Sequence, residues 1–447
     1  MKINKRRSLL EMILLSAVLF LLFASSAFTQ EEFIKARVVY QVPGMDKVKV
    51  FSDLTYKEAG GKELKMDIFQ PPNLNPNDKL PAVLYIHGGT LPPDYPVMPK
   101  SWEVYITHGR LIAASGMVGV TFNHRYYGVD KKNLDNSFSD VRDAIKYVRE
   151  NAEKYNINPD RICLWGFSGG GSHLSVALQD KMEYVRCIVS YYGVMNLKSL
   201  ISGGRNNLDW MTGYAPVDYL IFDNYKIPPF FIGRAGLDSP AINATIDAFI
   251  AKALEMNIDI ETANHPGGVH GFDVFNDDRR TREILEDTIS FIKRNIFAER
   301  TGDESILMLK GRLFKIIQNG DILKVKNIIT GKSGSFTEEQ RTSLKAALTE
   351  PVLNGMGYGF LGIGNPAKAV ELFEWIVQLY PDSPNAFDSL ADGYEAAGSI
   401  DLAIKSSEKT IELLNKDANL DDNTKTIIKK GVVERLGRLK KQQEYKY

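Results

Sequence analysis

Apolar and polar positions alternate in two different ways along this chain. From about residue 35 to 297, short apolar runs are separated by amphipathic stretches. VVYQV, KVKVFSDLTY and ELKMDIF predict strands, and PAVLYIHGG and MVGVTFNHR predict buried ones. FSDVRDAIKYVRENAEKY carries Val141, Ala144, Ile145 and Val148 at helical spacing. RICLWGF, CIVSYYG, PPFFIGRAG and DIETANHP supply further strands, with the amphipathic AINATIDAFIAKALEMN between the last two and REILEDTISFIKRNI at the end. This alternation predicts an α/β domain with a mostly parallel sheet covered by helices on both faces.

Near residue 300 the strand-like runs stop and helical patterns take over. Thr337 to Gln340 (TEEQ) fits a capping box, in which two side chains satisfy each other's free backbone N–H groups. A repeat of 34 residues then appears: Gly364 matches Gly398, Ala369 matches Ala403, Phe360 aligns with Tyr394, and Met356 with Leu390. At these residues the segment from about 350 to 420 resembles tetratricopeptide repeats, whose period is about 34. The resemblance implies a role in binding a protein partner; a plain helical bundle is the alternative. Ile428, Val432, Leu436 and Leu439 share one side of the last helix, which is expected to cap the stack, with its Lys/Arg cluster forming a solvated face.

Composition narrows the class. The chain has 447 residues, too many for one ordinary domain. Lys+Arg and Asp+Glu both number 55, which argues against nucleic acid or an anionic membrane surface as the main partner. At the start, Lys2, Lys5, Arg6 and Arg7 precede the apolar run Met12 to Ala24, then small residues and Gln30-Glu31-Glu32. That order predicts a secretory signal peptide and an exported protein, periplasmic or extracellular, with no stable membrane span after processing. Cys163 and Cys187 both fall in apolar runs and are expected to be buried free thiols. The expected domains are thus a signal peptide (1–30), an α/β catalytic domain (31–297), a helical linker or partial repeat (298–349) and the repeats with their capping helix (350–447).

The candidate chemistry starts at LWGFSGGGSHL, residues 164–174. GFSGG is a GxSxG pattern between a predicted strand and a predicted helix, a junction that holds a serine Oγ above a sheet. No Walker lysine or GxGxxG spacing accompanies it, so a phosphate cradle is excluded. Ser168 needs a base. His173 lies in the following helix and points away from the exposed side. His270, in PGGVHGFD after the last strand, sits where a base must reach a serine at the sheet's C-terminal edge. The base needs an acid, and Asp238, in GLDSP after PPFFIGRAG, follows a strand between the two. The backbone N–H groups of Gly88, Gly89 and Gly169 are the candidate oxyanion donors. This chemistry requires no metal and no cofactor. Residues 193–227, with Trp210, Met211, Tyr214 and Tyr219, are a candidate lid, Trp210 and Tyr214 its candidate substrate contacts.

KMDIFQP, LYIHGGT, FNHRYYG, GFSGGG, GRAGLD and GGVHGFD together make residues 46–297 resemble the α/β-hydrolase family, especially its esterases with an HGG oxyanion motif. The resemblance implies an eight-stranded sheet and a Ser-His-Asp acyl-transfer enzyme acting on small esters. HGGT stands in place of HGGG and GFSGG in place of GDSAG, which sets the chain outside the hormone-sensitive-lipase branch and nearer exported carbohydrate esterases and the acyl-peptidase-like group. GGVHGFD is also similar to dienelactone hydrolases, whose nucleophile is cysteine. A serine peptidase, or a scaffold whose repeats bind a partner, are the competing expectations.

Overall fold

The computed structural model describes residues 30–75, 77–202, 208–221, 226–299, 302–333, 336–416 and 421–444. All but the last residue of the expected signal peptide, and residues 203–207 and 222–225 of the candidate lid, lie outside these. The chain divides into two compact units, Met1–Arg300 and Thr301–Tyr447.

The first unit is built on one eight-stranded sheet. Its strands are β1 (Lys49–Ala59), β2 (Lys62–Gln70), β3 (Leu80–Ile86), β4 (Val118–Phe122), β5 (Ile157–Phe167), β6 (Val185–Tyr191), β7 (Phe230–Ala235) and β8 (Ile260–His265). They lie in the order β1-β2-β4-β3-β5-β6-β7-β8. β2 is antiparallel to both β1 and β4, and every other neighbouring pair is parallel. Alternate residues of the central strands feed two separate cores. Ala82, Leu84, Ile86 and Leu164 face one, with Val141 and Ile145 of α2 (Lys131–Glu150) and Ile246 and Phe249 of α3 (Pro240–Glu255). Val83, Tyr85, Trp165 and Phe167 face the other, with Leu111 and Ile112 of α1 (Glu103–Ala114) and Ile284 and Phe291 of α4 (Arg279–Ile296). A strand buried on both faces has no polar alternation, which is why PAVLYI and RICLWGF are nearly continuous apolar runs. Cys163 and Cys187 are register partners on β5 and β6, both buried and unpaired as thiols.

VVYQV is not a strand. β1 already occupies the sheet edge, and the segment instead lies on the α1 side of the sheet. There the Val38 N–H bonds Thr107 Oγ1 at 3.0 Å and the Val39 N–H bonds the Asp273 carbonyl at 3.0 Å. Its apolar residues cover the core shared with α1 and α4, so burial in a different layer produced the strand-like pattern.

One step of the topology positions the site. From β3 the chain passes to β4 on one side and returns to β5 on the other, a switch point that opens a crevice at the C-terminal ends of β3 and β5. The two ends are level, because Ile86 pairs with Gly166. The HGG loop and the GxSxG turn are therefore neighbours although about eighty residues separate them.

The described part of the second unit is helical: α5 (Gly302–Gln318), α6 (Ile322–Ile329), α7 (Glu338–Ala347), α8 (Glu350–Gly362), α9 (Pro366–Leu379), α10 (Pro384–Ala396), α11 (Ile400–Lys416) and α12 (Asp422–Glu444). The capping box forms at α7: the Gln340 N–H bonds Thr337 Oγ1 at 3.1 Å, and the Thr337 N–H bonds Gln340 Oε1 at 2.9 Å. The 34-residue spacing holds at the helix starts, from Glu350 to Pro384 and from Pro366 to Ile400. Buried Phe373 fills the space that small residues leave: a Cβ on Gly357 would stand 2.2 Å from its ring, and one on Gly393 2.8 Å. One member of the basic cluster on α12 departs from the solvated reading. Arg435 is buried, bonding Asp388 at 2.6 Å and Asp392 at 3.3 Å, because α10 turns an acidic row toward it.

Candidate active site

β5 runs straight into a strained turn. Ser168 has φ +50, a left-handed conformation uncommon for any residue but glycine. Such strain costs about 1–3 kcal/mol and persists only where the surroundings over-determine it. Here the Ser168 N–H donates to the Tyr191 carbonyl (3.1 Å), and its own carbonyl accepts from Gly171 (2.9 Å) and Val194 (2.8 Å). Phe167 and Gly169 are buried while Ser168 between them is partly exposed. Two flanking glycines allow the close approach this needs. A Cβ on Gly88 would lie 2.6 Å from Ser168 Cβ, and one on Gly170 would lie 2.3 Å from the Ile86 carbonyl oxygen.

The loops after β7 and β8 bring two further groups to the same point. His270 Nε2 is 3.0 Å from Ser168 Oγ, and His270 Nδ1 is 2.7 Å from Asp238 Oδ2. The other Asp238 oxygen accepts the Ser239 N–H at 2.6 Å. Both side chains are largely buried, at 11% and 4% exposed, so their hydrogen bonds face little competition from water. The loops are tied together below them: Gly236 N–H bonds the His265 carbonyl (2.8 Å) and Leu237 N–H the Gly268 carbonyl (2.9 Å). All three residues expected for the triad are thus in one hydrogen-bonded line.

The HGG loop faces this line. His87 Nδ1 is 3.1 Å from the Gly88 carbonyl and donates to it. Because the peptide is planar and trans, anchoring that carbonyl turns the Gly89 N–H the opposite way. The Gly89 nitrogen comes within 3.2 Å of where a Cβ on Gly169 would stand. Among the described residues neither the Gly89 nor the Gly169 N–H donates to a protein acceptor. Gly88, Gly89 and Gly169 therefore gather beside Ser168.

The other histidines are committed elsewhere. Burial lowers His87 to about 4 and His173 to about 3, and holds His124 well below the usual imidazole range. These three stay neutral and cluster behind the HGG loop, His87 stacked on His124 at 3.7 Å between ring centres and His173 tilted against His124 at 4.9 Å. His173 Nε2 bonds Ser137 Oγ (2.9 Å), and His265 Nε2 meets Asp278 and Thr281.

Two features of the surroundings escaped the sequence reading. Arg125 grips buried Asp140 through two 2.8 Å bonds, and Lys57 joins the same carboxylate at 2.7 Å. This staple fixes FNHRYYG, whose Tyr126 ring lies 3.0 Å from where a Cβ on Gly169 would stand. The described part of the candidate lid is also more firmly fixed than a lid need be. Met211, Ala215 and Leu220 are buried in the α2–α3 core, and the Tyr214 hydroxyl bonds Asp135 on α2 while its ring meets Phe138 edge-on at 5.1 Å. Trp210 is exposed there, at 37%, while Tyr214 and Tyr219 are half-buried.

Among the described residues no cluster of three or more His, Cys, Asp or Glu could hold a metal ion, and no helix is long and apolar enough to cross a membrane.

A family model described as BD-FAE matches residues 66–215. The chain is similar to Esterase LipQ of Mycobacterium tuberculosis, 26% identical over 253 residues, which cover 50% of this chain and 57% of that protein. It is also similar to Gut esterase 1 of Caenorhabditis elegans, 24% identical over 162 residues, covering 35% of this chain and 26% of that one. The chain thus spans little more than half, or less, of the length of these curated relatives. A solved esterase from Thermogutta terrifontis, Est2, is 20% identical with a TM-score of 0.47, covering 58% of this chain and 96% of that one.

Proposed function

We propose that this chain is an exported hydrolase of carboxylic esters, acting on acylated carbohydrate or other small esters. The observation that carries the reading is the line Asp238–His270–Ser168, with bonds of 2.7 and 3.0 Å. Relatives whose names contain esterase support it.

Ser168 Oγ attacks the ester carbonyl carbon while His270 Nε2 takes its proton, and Asp238 holds the imidazole in the required tautomer and balances its cation. The Gly89 and Gly169 N–H groups receive the carbonyl oxygen as it becomes an oxyanion. The tetrahedral adduct collapses, the C–O bond to the alcohol breaks, and His270 gives its proton to the leaving oxygen. Water then attacks the acyl-serine with His270 as base, releasing the carboxylic acid and restoring Ser168.

A panel of acetyl, butyryl and feruloyl esters and acetylated xylan tests the reading on the full chain. Turnover of one or more is expected, and no turnover of any overturns it. Gly88→Ala probes the crevice. Its methyl would meet Ser168 Cβ and the Phe167 carbonyl at 2.6 Å, and kcat is expected to fall by about 100-fold as nucleophile and oxyanion donors are pushed apart.

The helix pairs from α8 to α11 are proposed as tetratricopeptide-like repeats that bind a protein partner and take no part in the chemistry. Deleting residues 301–447 is expected to leave ester turnover within about twofold, as for a domain with its own core; loss of activity with folding intact would count against that division of labour. Export is tested by sequencing the mature N-terminus, expected between residues 28 and 31.

A further inference from the structure

Three residues beyond His270 stands a second carboxylate that this reaction scheme does not use. Asp273 is wholly buried in the short helical turn Phe272–Phe275. Its Oδ2 is 2.8 Å from His108 Nε2 on α1, and its Oδ1 accepts the Tyr192 hydroxyl at 2.7 Å. His108 is wholly buried too, packed against Trp165 and Phe167. A carboxyl group buried this deeply persists only when its oxygens are hydrogen-bonded, and each oxygen has a partner here.

Tyr192 links this pair to the triad. It follows β6 with φ +39, a left-handed conformation, and its N–H bonds the Gly233 carbonyl at 2.7 Å. Its ring centre lies 4.6 Å from that of His270, with Phe272 edge-on at 5.6 Å on another side. The backbone strain, the neighbouring ring and the bond to Asp273 together hold this phenol in one orientation. Asp238 fixes one nitrogen of the His270 imidazole, and the Tyr192 ring, inclined 54° to the imidazole plane, limits how far that plane can turn.

We propose that Tyr192, anchored by the buried Asp273–His108 pair, is a positioning residue that sets the plane of His270 for proton transfer to and from Ser168. The proposal rests on the esterase reading for its kinetic test only. Asp238 from the loop after β7, Ser168 from the elbow and Tyr192, which follows β6, all meet the imidazole, with Asp273 standing behind Tyr192.

Tyr192→Phe removes one oxygen and keeps the ring. The expected result is a fall in kcat of about 10-fold or more with KM changed by less than about twofold, because orientation is lost and binding is not. Asp273→Asn is expected to act in the same sense, and the double variant to be no slower than the slower single one, since both break one anchor. A proton signal from the His270–Asp238 hydrogen bond, identified by its absence in Asp238→Asn, reads the same geometry without turnover. It is expected to broaden in Tyr192→Phe. If wild type is active and Tyr192→Phe retains its kcat and the signal, positioning by Tyr192 is overturned while the esterase reading stands. If wild type turns over no ester, that reading falls, and the proton signal alone decides the role of Tyr192. Multiplicative losses in the double variant would also overturn the shared anchor.

Discussion

Ser168→Ala is expected to lower kcat for any ester the chain hydrolyses by about five to six orders of magnitude, the scale seen when the nucleophile of a serine triad is removed. In free energy that is about 7–8 kcal/mol, far more than a packing change supplies. It is large because the residue combines several costs already met by the fold. The φ +50 backbone, the three bonds that hold it and the glycine contacts at positions 88 and 170 all serve to expose one oxygen. Alanine has no side-chain oxygen to present. The oxyanion donors remain, so the variant should still exceed the uncatalysed rate by about 10³–10⁴. Stability is expected to change little, because among the described residues Ser168 Oγ bonds only His270, and removing the hydroxyl leaves no buried charge. The check is active-site titration and steady-state kinetics on the best ester, with a melting curve to show that folding is intact. A Ser168→Ala rate within tenfold of wild type would end the acyl-enzyme mechanism.

Those parts of the site written in contiguous sequence could be read before the fold was known. GFSGG lies at one strand end, HGG at another, and Asp238 and His270 follow two more, each a local signal of strand, turn and small residue. Their convergence follows from strand order and direction, since β3, β5, β7 and β8 run parallel and end at the same edge. What stayed illegible depends on contacts between distant segments. Asp273 meets His108 across 165 residues and Tyr192 across 81; it ends the GGVHGFD motif, but nothing in that motif names these partners. Arg125, inside FNHRYYG, and Asp140 are similar: their pairing shows only once the loop is laid on α2. Arg435 was misread for the same reason, because its acidic partners lie 40 or more residues earlier. VVYQV failed in the opposite direction, where a local apolar pattern was correct about burial and silent about the layer in which it is buried.

His270→Ala is expected to cost as much as Ser168→Ala, and the double variant no more than either. A neutral hydroxyl without a base is barely a nucleophile, and a base without a hydroxyl has nothing to activate, so the two losses do not add. No other histidine can substitute. His173 is held neutral in the core with Nε2 bonded to Ser137, and His265 is tied to Asp278 and Thr281. The deletion leaves a gap bounded by the Tyr192 ring, the Asp238 carboxylate and Ser168 Oγ, with an acceptor for one imidazole nitrogen and a hydroxyl donor for the other already in place. Added imidazole should therefore restore part of the rate to His270→Ala, rising with concentration and absent from Ser168→Ala. It should also be weaker in the Asp238→Asn background, where the carboxylate that would orient the added base is gone. Equal rescue with and without that carboxylate would mean that Asp238 does not orient the base. A His270→Ala rate close to wild type would show that the base lies elsewhere and that the 3.0 Å contact with Ser168 has no part in the reaction.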